Sequence, residues 1–240
     1  MAYDTEDARW TALRTRDRRA DGAFLFAVTT TGVYCRPGCG GRPLRKNVRF
    51  YETAQAARAD GYRACRNCRP DEVRETLRWT TVATDLGVAL LAASEDGVRA
   101  ITLGDDADAL AVDLATRFPK ARLVEDAAGL GDLAAWLGAV IADPALHAGL
   151  PIAEQGTDLQ RAVWAALRAI PAGTTASYAD IARAIGRPDA VRAVAQACGA
   201  NPLAVVTPCH RVVRSDGGLS GYRWGVERKR ALLAREGVAL

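Results

Sequence analysis

The run Val205-Val206-Thr207-Pro208-Cys209-His210-Arg211-Val212-Val213 decides how the rest of this chain is read. A cysteine beside a histidine, preceded by proline and flanked by β-branched apolar residues, predicts a reactive thiol at the edge of a buried strand. A thiolate is a strong nucleophile, and neighbouring positive charge lowers a cysteine pKa into the useful range. A single cysteine in an apolar run is also compatible with plain burial. His210 follows Cys209 directly, so it is no triad partner by adjacency alone, because such partners meet in space. The other histidine, His147, and the cysteine Cys198, on the inner face of a helical pattern, are read as structural.

A second constellation, Cys35-x3-Cys39 and Cys65-x2-Cys68, has metal-ligand spacing, with 25 residues between the pairs. Zinc in a tetrahedron of thiolates is its natural product. The plain reading is a structural staple for a small domain thin in apolar residues. Two details go further. Residues 36–69 hold 9 Lys and Arg against 2 Asp and Glu, and Cys35 ends a β-rich run where its sulfur can stay exposed. Zinc fixes a bound thiol as thiolate, so a ligand can also be a nucleophile.

Length and charge bound the rest. The 240 residues suit one large domain or two small ones, and 49% hydrophobic content is enough for real cores. No apolar run reaches the length of a membrane span, and the acidic, polar start resembles no signal peptide. The expectation is a soluble, cytoplasmic protein whose six cysteines are ligands or nucleophiles and not disulfides. The net charge of +4 is polarised: +6 over residues 1–80, −9 over 81–160 and +7 over 161–240. Two basic blocks around an acidic one predict two polyanion-facing surfaces; frequent arginine in an Ala/Arg-rich chain is the alternative.

Local signals place these residues. Phe24–Thr30 and Val48–Tyr51 read as strands, and Thr53 caps a helix over 54–59 that stops at Gly61. Asp71–Trp79 reads as a charged, helix-compatible connector. Val88–Ala93 and Val98–Leu103 around Ser94-Glu95-Asp96-Gly97 predict a hairpin; 107–118 and 130–141 predict helices. Thr157-Asp158-Leu159-Gln160 is a capping box. Helices then start at Ser177 and Pro188, with Val191, Val194 and Cys198 inward and Arg192 outward. A helix-turn-helix that meets DNA and an ordinary helical pair both satisfy that pattern.

Together these residues resemble the Ada family of bacterial response proteins. The C-terminal part is similar to the O6-alkylguanine-DNA alkyltransferases over about residues 82–240. That likeness rests on Pro208-Cys209-His210-Arg211-Val212, with Asn201-Pro202, Ser177-Tyr178, Arg192, Ser220-Gly221-Tyr222-Arg223-Trp224-Gly225, Lys229 and Glu236. The N-terminal part resembles the zinc-binding methylphosphotriester domain over about residues 6–72, through Ala20-Asp21-Gly22, Thr31-Gly32-Val33-Tyr34-Cys35-Arg36-Pro37 and Cys65-Arg66-Asn67-Cys68. Two departures stand out. The AraC-type domain of about a hundred residues that the family carries between these parts has no counterpart, and the Cys39–Asn47 loop is one residue shorter than is usual.

The resemblance implies an α+β protein: a small zinc-stapled α/β domain (1–72), a connector (73–81), and an alkyltransferase. The latter comprises an RNase H-like αβ subdomain (82–155) and a helical subdomain with the helix-turn-helix and active site (156–240). It implies stoichiometric transfer of alkyl groups from O6-alkylguanine, and from O4-alkylthymine, to Cys209, with His210 as base, Glu236 as its orienter and Asn201 ordering the active-site turn. It implies methyl transfer from DNA methylphosphotriesters to Cys35, held on Zn2+ with Cys39, Cys65 and Cys68. Tyr178, Arg192, Arg211, Ser177, Tyr222, Lys229, Arg42 and Arg45 are the implied DNA contacts. Arg192 fills the gap left by a flipped base, Tyr178 pushes the 3′ phosphate, and Lys229 assists near the thiol. The implied partner is alkylated double-stranded DNA, met by a monomer with no membrane or obligate protein partner, in the bacterial cytoplasm at the nucleoid. The alternative is a methylation-activated transcriptional regulator of the adaptive response.

Overall fold

The computed structural model describes residues 3–72, 75–146, 149–219 and 221–239. His147 and Ser220, both named above, lie outside them. The chain divides into two compact units, one of Met1–Leu77 with Ala115–Val124, the other of Arg78–Leu114 with Glu125–Leu240.

In the first unit, helix α1 (Glu6–Thr15) is capped by the Thr5 hydroxyl. A four-stranded sheet follows from β1 (Leu25–Val28), β2 (Val33–Cys35), β3 (Val48–Tyr51) and, after helix α2 (Ala54–Ala59), β4 (Arg63–Ala64). Its spatial order is β3-β1-β2-β4, with β2 and β4 parallel. Strand alternation gives the sheet two dressed faces. Phe26 packs with Leu13, Val48, Cys35 and Cys39 on one face. Leu25 and Ala27 pack with Tyr34 and Ala57 on the other. The strands and the Thr53-capped helix fall where the sequence places them.

The connector expectation is corrected. Strand β5 (Thr76–Thr84) begins inside it, with Leu77 and Trp79 buried and Thr76 and Arg78 exposed. That is a two-residue period, which the surrounding charges disguise. The hairpin of β6 (Gly87–Ser94) and β7 (Gly97–Gly104) forms as expected, with Ser94 opposite Gly97. Helix α3 (Ala107–Arg117), strand β8 (Arg122–Glu125) and helix α4 (Gly131–Ala142) complete this layer, and the sheet order is β7-β6-β5-β8.

The second unit continues through helix α5 (Asp158–Arg168), opened by the Thr157–Gln160 capping box. Strand β9 (Ala176–Ser177), helix α6 (Tyr178–Ala184), helix α7 (Val191–Gly199), strand β10 (Val212–Val213) and helix α8 (Val226–Arg235) follow. Trp164 on α5 donates its indole N–H to the Ala197 carbonyl, pinning α7 on α5. Val194 and Cys198 point inward as expected, but Val191 is 37% exposed. It opens α7, one turn short of the residues that meet α5 and α6. Among the described residues, no helix is long and apolar enough to cross a membrane.

The expectation that Cys209 lies at the edge of a buried strand is also refined. Only Val212–Val213 is extended, paired in parallel with Ala176–Ser177. The segment before it is bent twice. Val206 N–H bonds the Ala204 carbonyl around Val205, whose φ is +67°. Cys209 N–H bonds the Thr207 carbonyl around Pro208 at φ −80°, ψ 62°. These are γ-turns, the first in the left-handed region that β-branched residues rarely occupy. Cys209–Arg211 then forms one tight helical turn. The loop is docked on β7, where Ile101 N–H bonds the Pro202 carbonyl and Ala204 N–H bonds the Ile101 carbonyl.

Glycine is required where β7 meets the segment before α5. Gly97 has φ +133°, and a Cβ there would lie 2.5 Å from the Pro151 carbonyl oxygen. Gly186, which ends α6 at φ +71°, has open space around it. Gly186→Ala is expected to cost about 1–2 kcal/mol of backbone strain. Gly97→Ala should cost more, because a backbone atom must also move. Denaturant unfolding of the two variants checks the order.

Candidate active sites

Sheet pairing assembles the N-terminal thiols. Tyr34 aligns with Ala64 in the parallel β2–β4 pair, so Cys35 and Cys65, the next residues, leave the sheet side by side. Cys65 N–H bonds the Tyr34 carbonyl. A turn closed by Cys39 N–H on the Arg36 carbonyl returns Cys39, and one closed by Arg69 N–H on the Cys65 carbonyl returns Cys68. The four sulfurs lie within 4.8 Å of one another. A tetrahedron with Zn–S bonds of about 2.3 Å has edges of about 3.8 Å. The chemistry of the set also calls for a cation. Hydrogen bonding to Cys39 and Cys68, with burial, pushes the Cys35 thiol up, while bonding from Cys35 and Cys68 pulls Cys39 down. Four sulfurs alone can share one anion; a dication lets all four ionise. A cleft of about 620 Å³ reaches Cys35, Cys39 and Cys65 past Thr31, Arg42 and Asn67.

Arg36, which the sequence does not mark out beyond the Cys-Arg-Pro motif, is buried and donates to the carbonyls of Arg69, Pro70 and Glu72. It ties the end of the second cysteine pair to the first. Arg42 lines the thiol cleft. Arg45 does not line it. Its guanidinium forms an exposed pair with Glu6 at 2.5 Å and lies over the Trp10 and Phe50 rings.

At the C-terminal thiol, Asn201 is the hub. Its Nδ2 donates to the Thr207 carbonyl at 2.7 Å and to Cys209 Sγ at 3.2 Å; its Oδ1 accepts from Leu203 N–H. Cys209, His210 and Arg211 are all buried, the last two at 0% exposure. His210 Nε2 is 2.9 Å from Glu236 Oε1, and Arg211 Nε and Nη2 donate to the same carboxylate. Burial opposes charge on Glu236, but the His210 and Arg211 hydrogen bonds outweigh it and hold the carboxyl down to about 2. Burial also lowers the His210 pKa, against the pull of Glu236. The imidazole is therefore neutral, with its proton on Nε2 facing the carboxylate. That leaves Nδ1 as an acceptor, buried and with no hydrogen-bond partner among the described residues. Cys209 differs from expectation. Burial pushes its thiol up to about 11, more than Asn201 and the Lys229 charge pull it down. The thiol is not a ready thiolate; its proton must be taken during reaction.

The expected DNA contacts divide. Arg192 is exposed on α7, and Tyr178 opens α6 half-buried. Ser177 caps α6, its hydroxyl donating to Asp180 at 2.7 Å. Three others are corrected. Arg211 is spent on Glu236 and the Ile170 carbonyl. Lys229 is buried with its ammonium on the Val212 carbonyl at 2.5 Å. Tyr222 stacks edge-on against Trp224, with its hydroxyl buried and with no hydrogen-bond partner among the described residues. None of these three offers its polar group to a phosphate on the surface. All three carry charge or polar atoms into the apolar core around Cys209, a placement that a motif match cannot distinguish from a DNA contact.

Comparison with known proteins covers both regions. Residues 158–238 match the 6-O-methylguanine DNA methyltransferase DNA binding domain, and residues 8–71 match the metal binding domain of Ada. The bifunctional transcriptional activator/DNA repair enzyme Ada of Escherichia coli K12 is 33% identical over 340-odd aligned positions (341), covering 97% of this chain and 96% of that protein. An alignment that long over 240 residues requires at least 100 positions where the relative has residues and this chain has none. A methylated-DNA–protein-cysteine methyltransferase of Salmonella typhimurium is 53% identical over 91 residues, 38% of this chain and 53% of that one. The crystal structure of Mycobacterium tuberculosis OGT in complex with DNA superposes with a TM-score of 0.55 at 33% identity, covering 66% of this chain and 92% of that chain. The four clustered cysteines are a zinc site. The chain belongs to the Ada family, with the zinc-binding domain followed by the methyltransferase domain and without the AraC-type domain between them.

Proposed function

We propose that this protein repairs DNA by moving alkyl groups irreversibly onto its own cysteines: from O6-alkylguanine and O4-alkylthymine to Cys209, and from backbone methylphosphotriesters to Cys35. The observation that carries the reading is the buried Cys209–Asn201 and His210–Glu236 arrangement, in which a thiol and a neutral base share one turn. A buried thiol cannot reach a base inside a duplex, so the guanine is flipped out. Exposed Arg192 fills the space, and Tyr178 presses on the 3′ phosphate and donates to the base. The sulfur lone pair forms the S–C bond while the C–O6 pair stays with the guanine. The thiol proton passes through one water to His210 Nδ1, and the departing guanine takes up one proton at N1. Glu236 keeps His210 in the tautomer that can accept. The product thioether has no ready leaving reaction, so each site acts once.

When bound at the N-terminal site, zinc would keep the Cys35 sulfur ionised at neutral pH. Cys35, Cys39, Cys65 and Cys68 would hold the ion, and the Cys35 sulfur forms the S–C bond from the cleft that Arg42 lines while the methyl C–O bond breaks and its electron pair stays on the phosphate, leaving a phosphodiester. The partner is alkylated double-stranded DNA, met by a cytoplasmic monomer. The absence of the relative's hundred or more intervening positions weighs against a regulator that reads a promoter.

Incubation with DNA carrying labelled methyl groups, followed by peptide mapping, tests the assignment. Cys209→Ala should reduce transfer from guanine to the no-protein level and leave phosphotriester repair, and Cys35→Ala should do the reverse. Loss of both activities from either single change in a folded protein contradicts two separate acceptors.

The pH dependence follows from the two shifts at Cys209. Neutral His210 is present above its depressed pKa, and the thiol stays protonated up to about 11. The single-turnover rate should be level from about pH 7 to about pH 9 and fall only under acid conditions that charge His210. A rise of about tenfold per pH unit over that range would mean that the thiol ionises before the base acts.

A further inference from the structure

Thr207 stands between the two γ-turns that bend the Cys209 loop. It is fully buried, in a run whose neighbours Ala204, Val205 and Val206 are apolar and also buried. Its carbonyl accepts from Asn201 Nδ2 and from Cys209 N–H, both at 2.7 Å. Its N–H bonds the Leu203 carbonyl at 3.0 Å. The backbone of one residue thus fixes the group that donates to the sulfur and the residue that carries it.

The side chain is tied down as well. Arg168, the last residue of α5, donates from Nη1 to Thr207 Oγ1 at 3.1 Å. The same guanidinium grips Glu154 with two parallel bonds of 2.9 Å. A bidentate pair fixes the plane of a guanidinium as well as its position. Glu154 is nearly buried, at 10% side-chain exposure, and Arg168 is 29% exposed. The segment holding Glu154 is itself anchored on β7, where Ala153 N–H bonds the Val98 carbonyl at 2.9 Å.

A γ-turn at positive φ on a β-branched residue persists only where its surroundings over-determine it. Valine at 207 would fill the same volume without a hydroxyl. A polar triplet at this place needs a reason, because buried ion pairs stabilise little against apolar packing and are better explained by specificity of arrangement.

We infer that Glu154 and Arg168 are positioning residues for alkyl transfer to Cys209, acting through the Thr207 hydroxyl. The clamp holds the Thr207 peptide where Asn201 can bond the carbonyl and the Cys209 sulfur together. Without it the loop relaxes toward less bent conformers, and the fraction of molecules with the sulfur in line falls. The inference rests on Cys209 being the acceptor for guanine alkyl groups.

The experiment measures single-turnover methyl transfer from duplex O6-methylguanine against DNA concentration, with thermal unfolding alongside, in the full chain. Thr207→Val and Arg168→Met should lower the limiting rate roughly three- to tenfold, the size of one lost hydrogen bond. The half-saturating DNA concentration should not change, since Thr207 is fully buried and neither residue is among the proposed DNA contacts. Thr207→Ser keeps the hydroxyl and should recover most of the rate. A Thr207→Val limiting rate within about twofold of wild type, or a loss that Thr207→Ser shares in full, overturns the inference. Should Thr207→Val fail to fold, Glu154→Gln carries the test, because it loosens the clamp and leaves the loop's own atoms intact. A wild-type limiting rate in Glu154→Gln would then overturn it. Wild-type protein that takes no methyl from guanine refutes the acceptor assignment instead.

Discussion

The Glu236 carboxylate is 1% exposed and is held by His210 on one side and Arg211 on the other. It sits at the C-terminal cap of α8, where the helix dipole disfavours negative charge. Arg211, itself fully buried, supplies the compensating charge and also donates to the Ile170 carbonyl. That places the end of α5, the Cys209 turn and the end of α8 around one anion. Removing one partner from such a pair typically costs about 3–5 kcal/mol, because the other charge is left buried and alone. The arrangement does chemical work too. An ionised Glu236 fixes the proton on His210 Nε2, and only then is Nδ1 an acceptor. Arg211 was expected to touch DNA; its place beside Glu236 instead keeps that carboxyl ionised.

The N-terminal site depends on a simpler constraint. Two parallel strands in register bring Cys35 and Cys65 out of the sheet together, and two tight turns return Cys39 and Cys68. The same residues serve as core, since Cys35 and Cys39 pack against Phe26 and Leu13. A small domain thin in apolar side chains thereby gains a staple, and a cleft lined by Arg42 reaches the sulfurs of Cys35, Cys39 and Cys65 although Cys35 is itself buried, against the expectation of an exposed sulfur.

Much of this was legible in the sequence. The CxxxC and CxxC spacing named the metal ligands, the Thr157–Gln160 capping box marked α5, the run from Ser177 marked the start of α6, and Pro208-Cys209-His210-Arg211 named the acceptor. What stayed hidden has physical reasons. The β5 strand was masked by charges on its exposed face, although Leu77 and Trp79 alternate inward. The γ-turns around Val205 and Pro208 run against the strand propensity of Val205-Val206-Thr207, which tertiary bonding overrides. The thiol's raised pKa depends on burial, which no motif encodes. Lys229, Tyr222 and Arg211 are polar types that usually face solvent, so their inward placement was not readable from type or spacing.

The central claim is that His210 is a neutral base whose proton is pinned on Nε2 by Glu236. Ring nitrogen-15 chemical shifts of His210 in the alkyl-free protein test it most directly, with His147→Gln removing the other imidazole of the chain. The account predicts an unprotonated Nδ1 and a protonated Nε2 at neutral pH. An imidazolium at neutral pH, or a neutral ring with its proton on Nδ1, would contradict it.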